Sequence, residues 1–532
     1  MSTDGFHPVS EKTVNRLFYT LLFLHLVPLF FGKYFLTQDG PSHLYNAFVL
    51  KDMVFNHHSF YTAWFDINKV PNPNWLVTIF YALSMTVLPA FLAEKIFLVL
   101  YVVLLPLSFR FLIKQINLKS SFIALLIFPL VYNITLYLGF FNFCFSIIFY
   151  FYAVGYWLKY QGVFSLKKQI AFLLLVTLTY FSHPVSFVVL VMTIGIFILS
   201  MLYQEIKSKN KPVKHLLRMV YGLFISLLPS LIFFLMFFGE SGSEISFTTR
   251  NVKTYIIDQL QNYGLNYSGK ADLRICTAYS AILAFFFIYN LIIRIKTKRF
   301  YRPDILYLFF ILFSIMTFFS PEEIAGGSVI LIRLILYSNI IAILCISAYS
   351  YPARLKKISA CLFFGFALFW LVFKSYHFEK IQERFETFRS IENQIPEGKT
   401  VLPFVIHQSN PDGSPLDTIK DIDIIVFLHT ANYLSIEKKL LCLSDYEASQ
   451  SYFPLKWKPN KDPSTFFPEY GEMLSDSEFS AYGAKSGTWP DYVLVWDESG
   501  RFEERKLLIG EIGKNYLPGV RGAKAWLWKR KF

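Results

Sequence analysis

The sequence predicts a mostly α-helical membrane protein of about 11 transmembrane helices. Surface helices are expected in its first outer loop, and a soluble α/β domain at its C-terminal end. Three observations lead there. Of 532 residues 54% are hydrophobic and only 17% charged, with a mean hydropathy of +0.43. Soluble domains carry about 25% charged residues, so this much apolar surface needs lipid as its solvent. Apolar runs of bilayer-spanning length recur from residue 17 to residue 374. From Ser375 onward the composition becomes ordinary, giving a tail of usual domain size.

The crossings read along the chain are 17–36, 96–113, 121–138, 141–158, 169–182, 184–203, 217–238, 275–293, 304–320, 329–350 and 358–374. The run 75–92 is assigned to the outer surface, because a crossing there would export Arg110, Lys114 and Lys119. The chain thus divides into a transmembrane domain, 1–374, whose first outer loop is 37–95, and an extracytoplasmic domain, 375–532.

The net charge of +14 invites a nucleic-acid reading, which its distribution removes. Residues 375–532 carry a net charge of −3 and residues 1–374 one of +17. Six short segments (1–16, 110–120, 159–168, 204–218, 294–304, 351–357) hold 21 Lys and Arg against four acids. Lys and Arg in short loops mark the cytosolic side. The basic residues are therefore topology signals, and no nucleic acid is expected as a partner. The N-terminus is expected in the cytosol and the tail outside. The first run is followed by Gln38-Asp39-Gly40 without a small-residue cleavage site, so it reads as an anchor. Five cysteines, four in or near apolar runs, imply no disulfide framework. Rich use of Phe, Ile, Lys and Asn leans toward a bacterial inner membrane with a periplasmic tail.

Two outer loops are long, Thr37 to about Lys95 and Gly239 to about Arg274, and long loops commonly carry function. The first opens on Thr37-Gln38-Asp39-Gly40-Pro41-Ser42-His43, a turn followed by a short surface helix. Asp39 sits where the first crossing ends, with His43 and Asn46 one and two helical turns on. A partly desolvated carboxylate there suits a general base or a metal ligand; the competing role is an N-terminal helix cap. His57 and His58 are adjacent, point about 100° apart in a helix, and read as solvated. Asp66 follows, then Pro71-Asn72-Pro73-Asn74-Trp75, which cannot be regular helix.

His183-Pro184 breaks the helix between two crossings near the outer face. A histidine at such depth is a functional candidate, or serves the broken backbone. Arg333 falls about one turn into 329–350 and needs a carbonyl cluster or an anion, the anion being a lipid phosphate, or Glu322 or Glu323. In the tail, 399–405, 422–427 and 491–496 read as strands, with 507–509 and 523–529 as further ones, and 429–439 as helix. The aromatics of Tyr452-Phe453-Pro454-Leu455-Lys456-Trp457 suit sugar stacking or core packing.

An inside N-terminus, an acid after the first helix, a long first outer loop and an exported tail together resemble the GT-C superfamily. These are polytopic glycosyltransferases that use polyprenyl-phosphate-linked sugars. The surface run after Pro71-Asn72-Pro73-Asn74 is similar to the proline-containing juxtamembrane segment of the arabinosyl- and mannosyl-transferase branches. The resemblance implies Asp39 as base or as ligand of a divalent metal (Mg or Mn), with His43 and Asp66 beside it. It implies Arg333 at the lipid phosphate; Asn74, His183 and Glu322 are substrate-binding candidates from their own places in the chain, and no shared motif fixes His183. The implied partners are a polyprenyl-phosphate sugar, a glycan, lipid or protein acceptor, and membrane lipids. Many members carry two adjacent acids where this chain has Asp39-Gly40, and Asp66 is the candidate for the second. The implied activity is inverting transfer of a hexose or pentose. The other readings are a lipid or polysaccharide transporter or flippase, and an inactive GT-C-like assembly factor.

Overall fold

The computed structural model describes residues 10–532 except 57, 71, 161–163, 209–212, 241–244, 248, 262–264, 266–269, 299–301, 325, 390, 392–393, 407–425, 451, 468–475, 498–501, 523 and 532. For residues 206–208, 213–216, 240, 270–271, 302 and 504 only the backbone is described. His57, Pro71 and 422–425 of the sequence reading therefore lie outside the described residues.

Among the described residues nine helices are long and apolar enough to cross a membrane, which marks a multi-pass membrane protein. They are Glu11–Phe30, Ala90–Ile116, Leu118–Tyr137, Phe141–Tyr160, Pro184–Glu205, Leu217–Gly239, Asp272–Thr297, Ile330–Ser347 and Ala353–Arg389. The expected crossings 169–182 and 304–320 are helical too, as Leu166–Ser182 and Ile305–Phe318. The 14 residues of the latter reach about 21 Å, short of a hydrocarbon core of about 30 Å. The run 75–92 becomes a nine-residue helix, Leu76–Ser84, closed by a turn through Pro89. At about 13 Å it is too short to cross alone.

The chain forms two compact bodies: residues 1–27, 99–135 and 141–374, and residues 28–98, 136–140 and 375–532. Residues 37–95 thus belong with the tail.

In the first body the sequence explains which helices are inner. Ile330–Ser347 is 94% buried and Leu217–Gly239 only 17%. The first carries Arg333, Ser338 and Asn339, all buried polar groups that lipid would not tolerate. The second presents Leu, Ile and Phe outward, as a lipid-facing helix must. The expected crossing at 121–138 departs from α-helix. Leu118–Leu130 is a 3-10 run broken at Ser120 (φ −105°), followed by the single turn Ile134–Tyr137. Residues 120–130 are buried throughout. Two of its carbonyls accept side-chain bonds, Leu126 from the Tyr279 hydroxyl (2.6 Å) and Pro129 from the Trp370 indole (3.1 Å).

The second body is built on a five-stranded sheet in the order Leu441–Cys442, Thr400–Ile406, Tyr492–Asp497, Ala525–Arg530, Tyr516–Arg521. The first three run parallel, and the fourth runs antiparallel to both of its neighbours. Thr400–Ile406 and Tyr492–Asp497 are buried at every position, hence their unbroken apolar sequences. Pro403 lies in the second strand without breaking it. Among the described residues the edge strand pairs with Thr400 and Val401, and Pro403 lies beyond these pairs. The expected strand at 507–509 is instead part of a helix, Lys506–Asn515. Three apolar residues cannot distinguish a strand from one face of a helix, and here Leu508 and Ile512, four apart, form that face. From the first loop come the helix Gly40–Phe55 and the strand Phe65–Ile67, which pairs antiparallel with Leu455–Trp457.

Candidate active site

In the second body the residues around Asp39 are held by backbone first. The Gln38 and Asp39 amides donate to the carbonyls of Tyr137 (2.9 Å) and Leu138 (3.2 Å). Gly139 follows with φ +80°, and a Cβ there would stand 2.5 Å from the Gly40 nitrogen and 2.7 Å from that of Asp39. Only glycine fits so close an approach. Asp39 occupies the cap position of Gly40–Phe55, yet its side chain makes no capping bond. Thr37 takes that role, its hydroxyl accepting from the Gly40 amide at 3.2 Å. The Asp39 carboxylate, 10% exposed, accepts instead from the Gln38 side-chain Nε2 (3.3 Å) and lies 3.7 Å from His429 Nε2. His429 is buried and stacks on Tyr446, with centroids 4.9 Å apart.

One helical turn on, His43 bridges two acceptors. Its Nδ1 is 2.5 Å from Glu447 Oε1 and its Nε2 3.0 Å from the Gly139 carbonyl. A ring facing an acceptor at each nitrogen is satisfied only as imidazolium. Burial opposes charge on His43, but the Glu447 carboxylate, with Asp39 and the Gly139 carbonyl, outweighs it and raises the pKa. Asn46, a further turn on, donates to Asp445 at 3.4 Å. Burial and the Glu447 charge hold the Asp445 carboxyl well above the usual range. The Asn432 amide reaches back to the Ser42 hydroxyl at 2.9 Å. Polar groups on the helix Gly40–Phe55 thus meet polar groups of the tail segment 429–447.

The other loop candidates are placed differently. Asp66 lies in the strand Phe65–Ile67, opposite Lys456, a cross-strand pair of opposite charge. Asn74 adopts a left-handed conformation (φ 71°) just before the helix Leu76–Ser84. Trp457 and Phe453 are buried and serve as core; the Trp457 indole donates to the Asp445 carbonyl at 3.2 Å.

His183, Arg333 and Glu322 belong to the first body. His183 ends the helix Leu166–Ser182, and its Nδ1 accepts from the Val185 amide at 3.2 Å. Pro184 has no N–H, so Val185 carries the first orphan donor of the next helix, and the histidine ring caps it. The proton of the neutral ring therefore sits on Nε2. Arg333 donates to the Ser328 carbonyl, and its guanidinium lies 5.9 Å from the Phe143 ring centre. Glu322 pairs at 2.7 Å with Arg250, a residue that the sequence reading passed over. Arg250 also donates to the carbonyls of Thr317 (3.3 Å), Phe318 (3.0 Å) and Ser320 (2.5 Å), closing the end of the helix Ile305–Phe318.

Among the described residues no three His, Cys, Asp or Glu side chains are grouped to hold a metal ion. Asp39 and His429 bring two donors within 3.7 Å. The tail residues around it, His429, Asp445 and Glu447, carried no local motif; their role follows only from contacts about 390 or more positions along the chain. No known family model matches the chain, and no curated protein does.

Proposed function

We propose that this protein is an inverting membrane glycosyltransferase. It takes a sugar from a polyprenyl-phosphate donor and passes it to an extracytoplasmic acceptor. The observation that carries the reading is the Asp39 carboxylate, relieved of capping by Thr37 and set beside His429. Eleven crossings, a cytosolic N-terminus and an outer site belong to the same proposal, as does a bacterial inner membrane. They are supported by the +17 net charge of residues 1–374, concentrated in short segments.

The acceptor hydroxyl oxygen attacks the anomeric carbon opposite the lipid phosphate. A new carbon–oxygen bond forms as the carbon–oxygen bond to phosphate breaks. The hydroxyl proton passes to Asp39, and the bonding pair leaves on the phosphate oxygen. The donor phosphate is already anionic and carries the bonding pair away; Arg333, in the first body, is proposed separately as a group that could hold a lipid phosphate. The Glu447–His43–Gly139 series fixes the turn that bears Asp39.

The test is Asp39→Asn in proteoliposomes, given a panel of radiolabelled undecaprenyl-phosphate sugars and a cell-envelope extract as acceptor. Loss of the base lowers transfer about 10²–10⁴-fold. Wild-type rates in a folded variant would remove Asp39 from the mechanism. A second reading, a lipid or polysaccharide flippase, draws support from the fully buried Lys374–Asp272 pair (2.5 Å) in the first body, since ionisable groups inside membrane proteins often mark transport paths. Flux of a fluorescent lipid-linked sugar in liposomes without acceptor would favour it.

A further inference from the structure

In the first body the helix Ile305–Phe318 leaves a gap that the second long loop meets. Its start is fixed at a charged rim, where Asp304 pairs with Arg294 at 3.1 Å within the basic segment 294–304. Its reach of about 21 Å therefore falls about 9 Å short of a hydrocarbon core at the other end, near Phe318. Carbonyls that stop inside an apolar layer lack water and need a protein donor. Arg250 is that donor for Thr317, Phe318 and Ser320, with its charge met by Glu322.

Next along the chain Asn251 opens the helix Val252–Gln261, its Oδ1 accepting from the Lys253 amide at 2.9 Å. Tyr255 is the buried side chain of this helix. Its hydroxyl donates to the Ser314 carbonyl (3.0 Å) and its ring meets Phe318 edge-on (5.3 Å). On another helix, Asp272–Thr297, the Ser280 hydroxyl donates to the Gln259 carbonyl (3.5 Å). Ser314 comes four residues before Phe318 and Ser280 eight after Asp272, so the two contacts sit about 6 Å and about 12 Å inside the ends of those helices. Helices that lie in a bilayer interface sit about 5–10 Å into the boundary of headgroups and acyl chains.

The face turned away from the body is wrong for water. Val252, Ile256 and Leu260 recur every fourth residue along one stripe and are 59%, 51% and 51% exposed. Thr254 and Gln261 fall on the opposite side of the helix. An amphipathic helix on a water-facing surface buries its apolar stripe. This one buries a tyrosine and presents the stripe. Phe319, next to the Phe318 that Tyr255 touches, is exposed as well, as are Ile311 and Ile315 in the helix it ends. The stripe thus belongs to an apolar outward surface of the kind a multi-pass membrane protein turns to lipid.

We propose that Val252–Gln261 is an interfacial helix whose Val252, Ile256 and Leu260 stripe lies among the lipid acyl chains of one leaflet. It occupies the depth that Ile305–Phe318 leaves unspanned, and its partner is the bilayer itself. None of this depends on sugar transfer.

The experiment is spin-label accessibility on the full chain in nanodiscs of phosphatidylethanolamine and phosphatidylglycerol. Cys361→Ser removes the one exposed thiol and leaves four buried ones. Ile256→Cys on the stripe and Thr254→Cys opposite it then take the nitroxide one at a time. Ile232→Cys on the outward-facing helix Leu217–Gly239 is the lipid standard, and Ala481→Cys on the helix Asp476–Ser486 is the water standard. All four positions are exposed, so no label displaces a buried contact. The ratio of collisions with oxygen to collisions with a water-soluble nickel chelate falls on the lipid side of the midpoint between the standards at Ile256, and on the water side at Thr254. A water-like ratio at Ile256 overturns the proposal. So does exclusion of both reagents there, which means that a protein partner or a second copy covers the stripe. Lipid-like ratios at both positions overturn it too, since a helix immersed on every side is not interfacial.

Discussion

Replacing Glu447 with Gln keeps the shape of the side chain and removes its charge. Its partner His43 lies 2.5 Å away, and the two side chains are 0% and 6% exposed. Stranding one member of a buried ion pair costs about 3–5 kcal/mol. Asp445 returns part of that, because the Glu447 charge is one of the causes that raise its pKa. A net loss of about 2–3 kcal/mol is expected, which at about 2–4 °C per kcal/mol is a fall of roughly 4–12 °C in Tm. The pH dependence has a definite sign. The folded-state pKa of His43 is raised above its ordinary value of 6.5. The pair's contribution is therefore fully present below that value and disappears as pH rises through the folded-state pKa. The gap in Tm between wild type and Glu447→Gln should be widest near pH 6 and close at alkaline pH. The assay is thermal unfolding in nanodiscs across pH, with hydrogen exchange of peptides covering residues 38–46 to localise the loss. The double variant His43→Gln, Glu447→Gln should recover part of it, since no charge is then stranded. A gap below about 0.5 kcal/mol, or one that widens with pH, would refute the reasoning.

Three further outcomes follow from the same geometry. Asp445→Asn should raise stability increasingly as pH rises, because an acid with a raised folded-state pKa weakens the fold above its unfolded pKa; melts at pH 5 and pH 8 decide it. Gly139→Ala adds a Cβ 2.5 Å from the Gly40 nitrogen at a left-handed φ, so it should cost about 1–3 kcal/mol. It should also lower transfer by shifting Asp39, with donor affinity retained, as read by a KM-against-kcat split. Arg250→Ala removes a charged clamp on three carbonyls and Glu322, about 2–4 kcal/mol, and should expose the segment 245–261 to protease before the rest of the first body opens.

The sequence revealed what is local. Apolar runs mark the helices because each crossing is apolar along its own length, and Thr400–Ile406 and Tyr492–Asp497 read as strands because both faces are buried. Asp39 and His43 stood out through the turn at Asp-Gly-Pro. Their partners did not, because His429 and Glu447 join them by chain closure over about 390 or more positions. For Arg333 the sequence left a lipid phosphate and Glu322 or Glu323 equally open. Arg250, 72 positions away, reaches Glu322 and also satisfies the carbonyls left open by a helix end. The Asp39 cap was a sound local inference, and only the position of the Thr37 hydroxyl overturns it.

The 3-10 run Leu118–Leu130 has a consequence for how the chain tolerates length changes. A 3-10 helix rises about 2.0 Å per residue against about 1.5 Å for an α-helix, so residues 121–130 extend about 20 Å where α-helix would extend about 15 Å. An α-helical crossing that loses one residue can restore its reach by drawing out locally into 3-10. This segment is already drawn out, and its Leu126 and Pro129 carbonyls are anchored by Tyr279 and Trp370. A single deletion here has no slack to absorb it, whereas the same deletion in Leu217–Gly239, mostly facing outward, leaves neighbours free to adjust. The least extensible part of the membrane body is therefore also its least exposed.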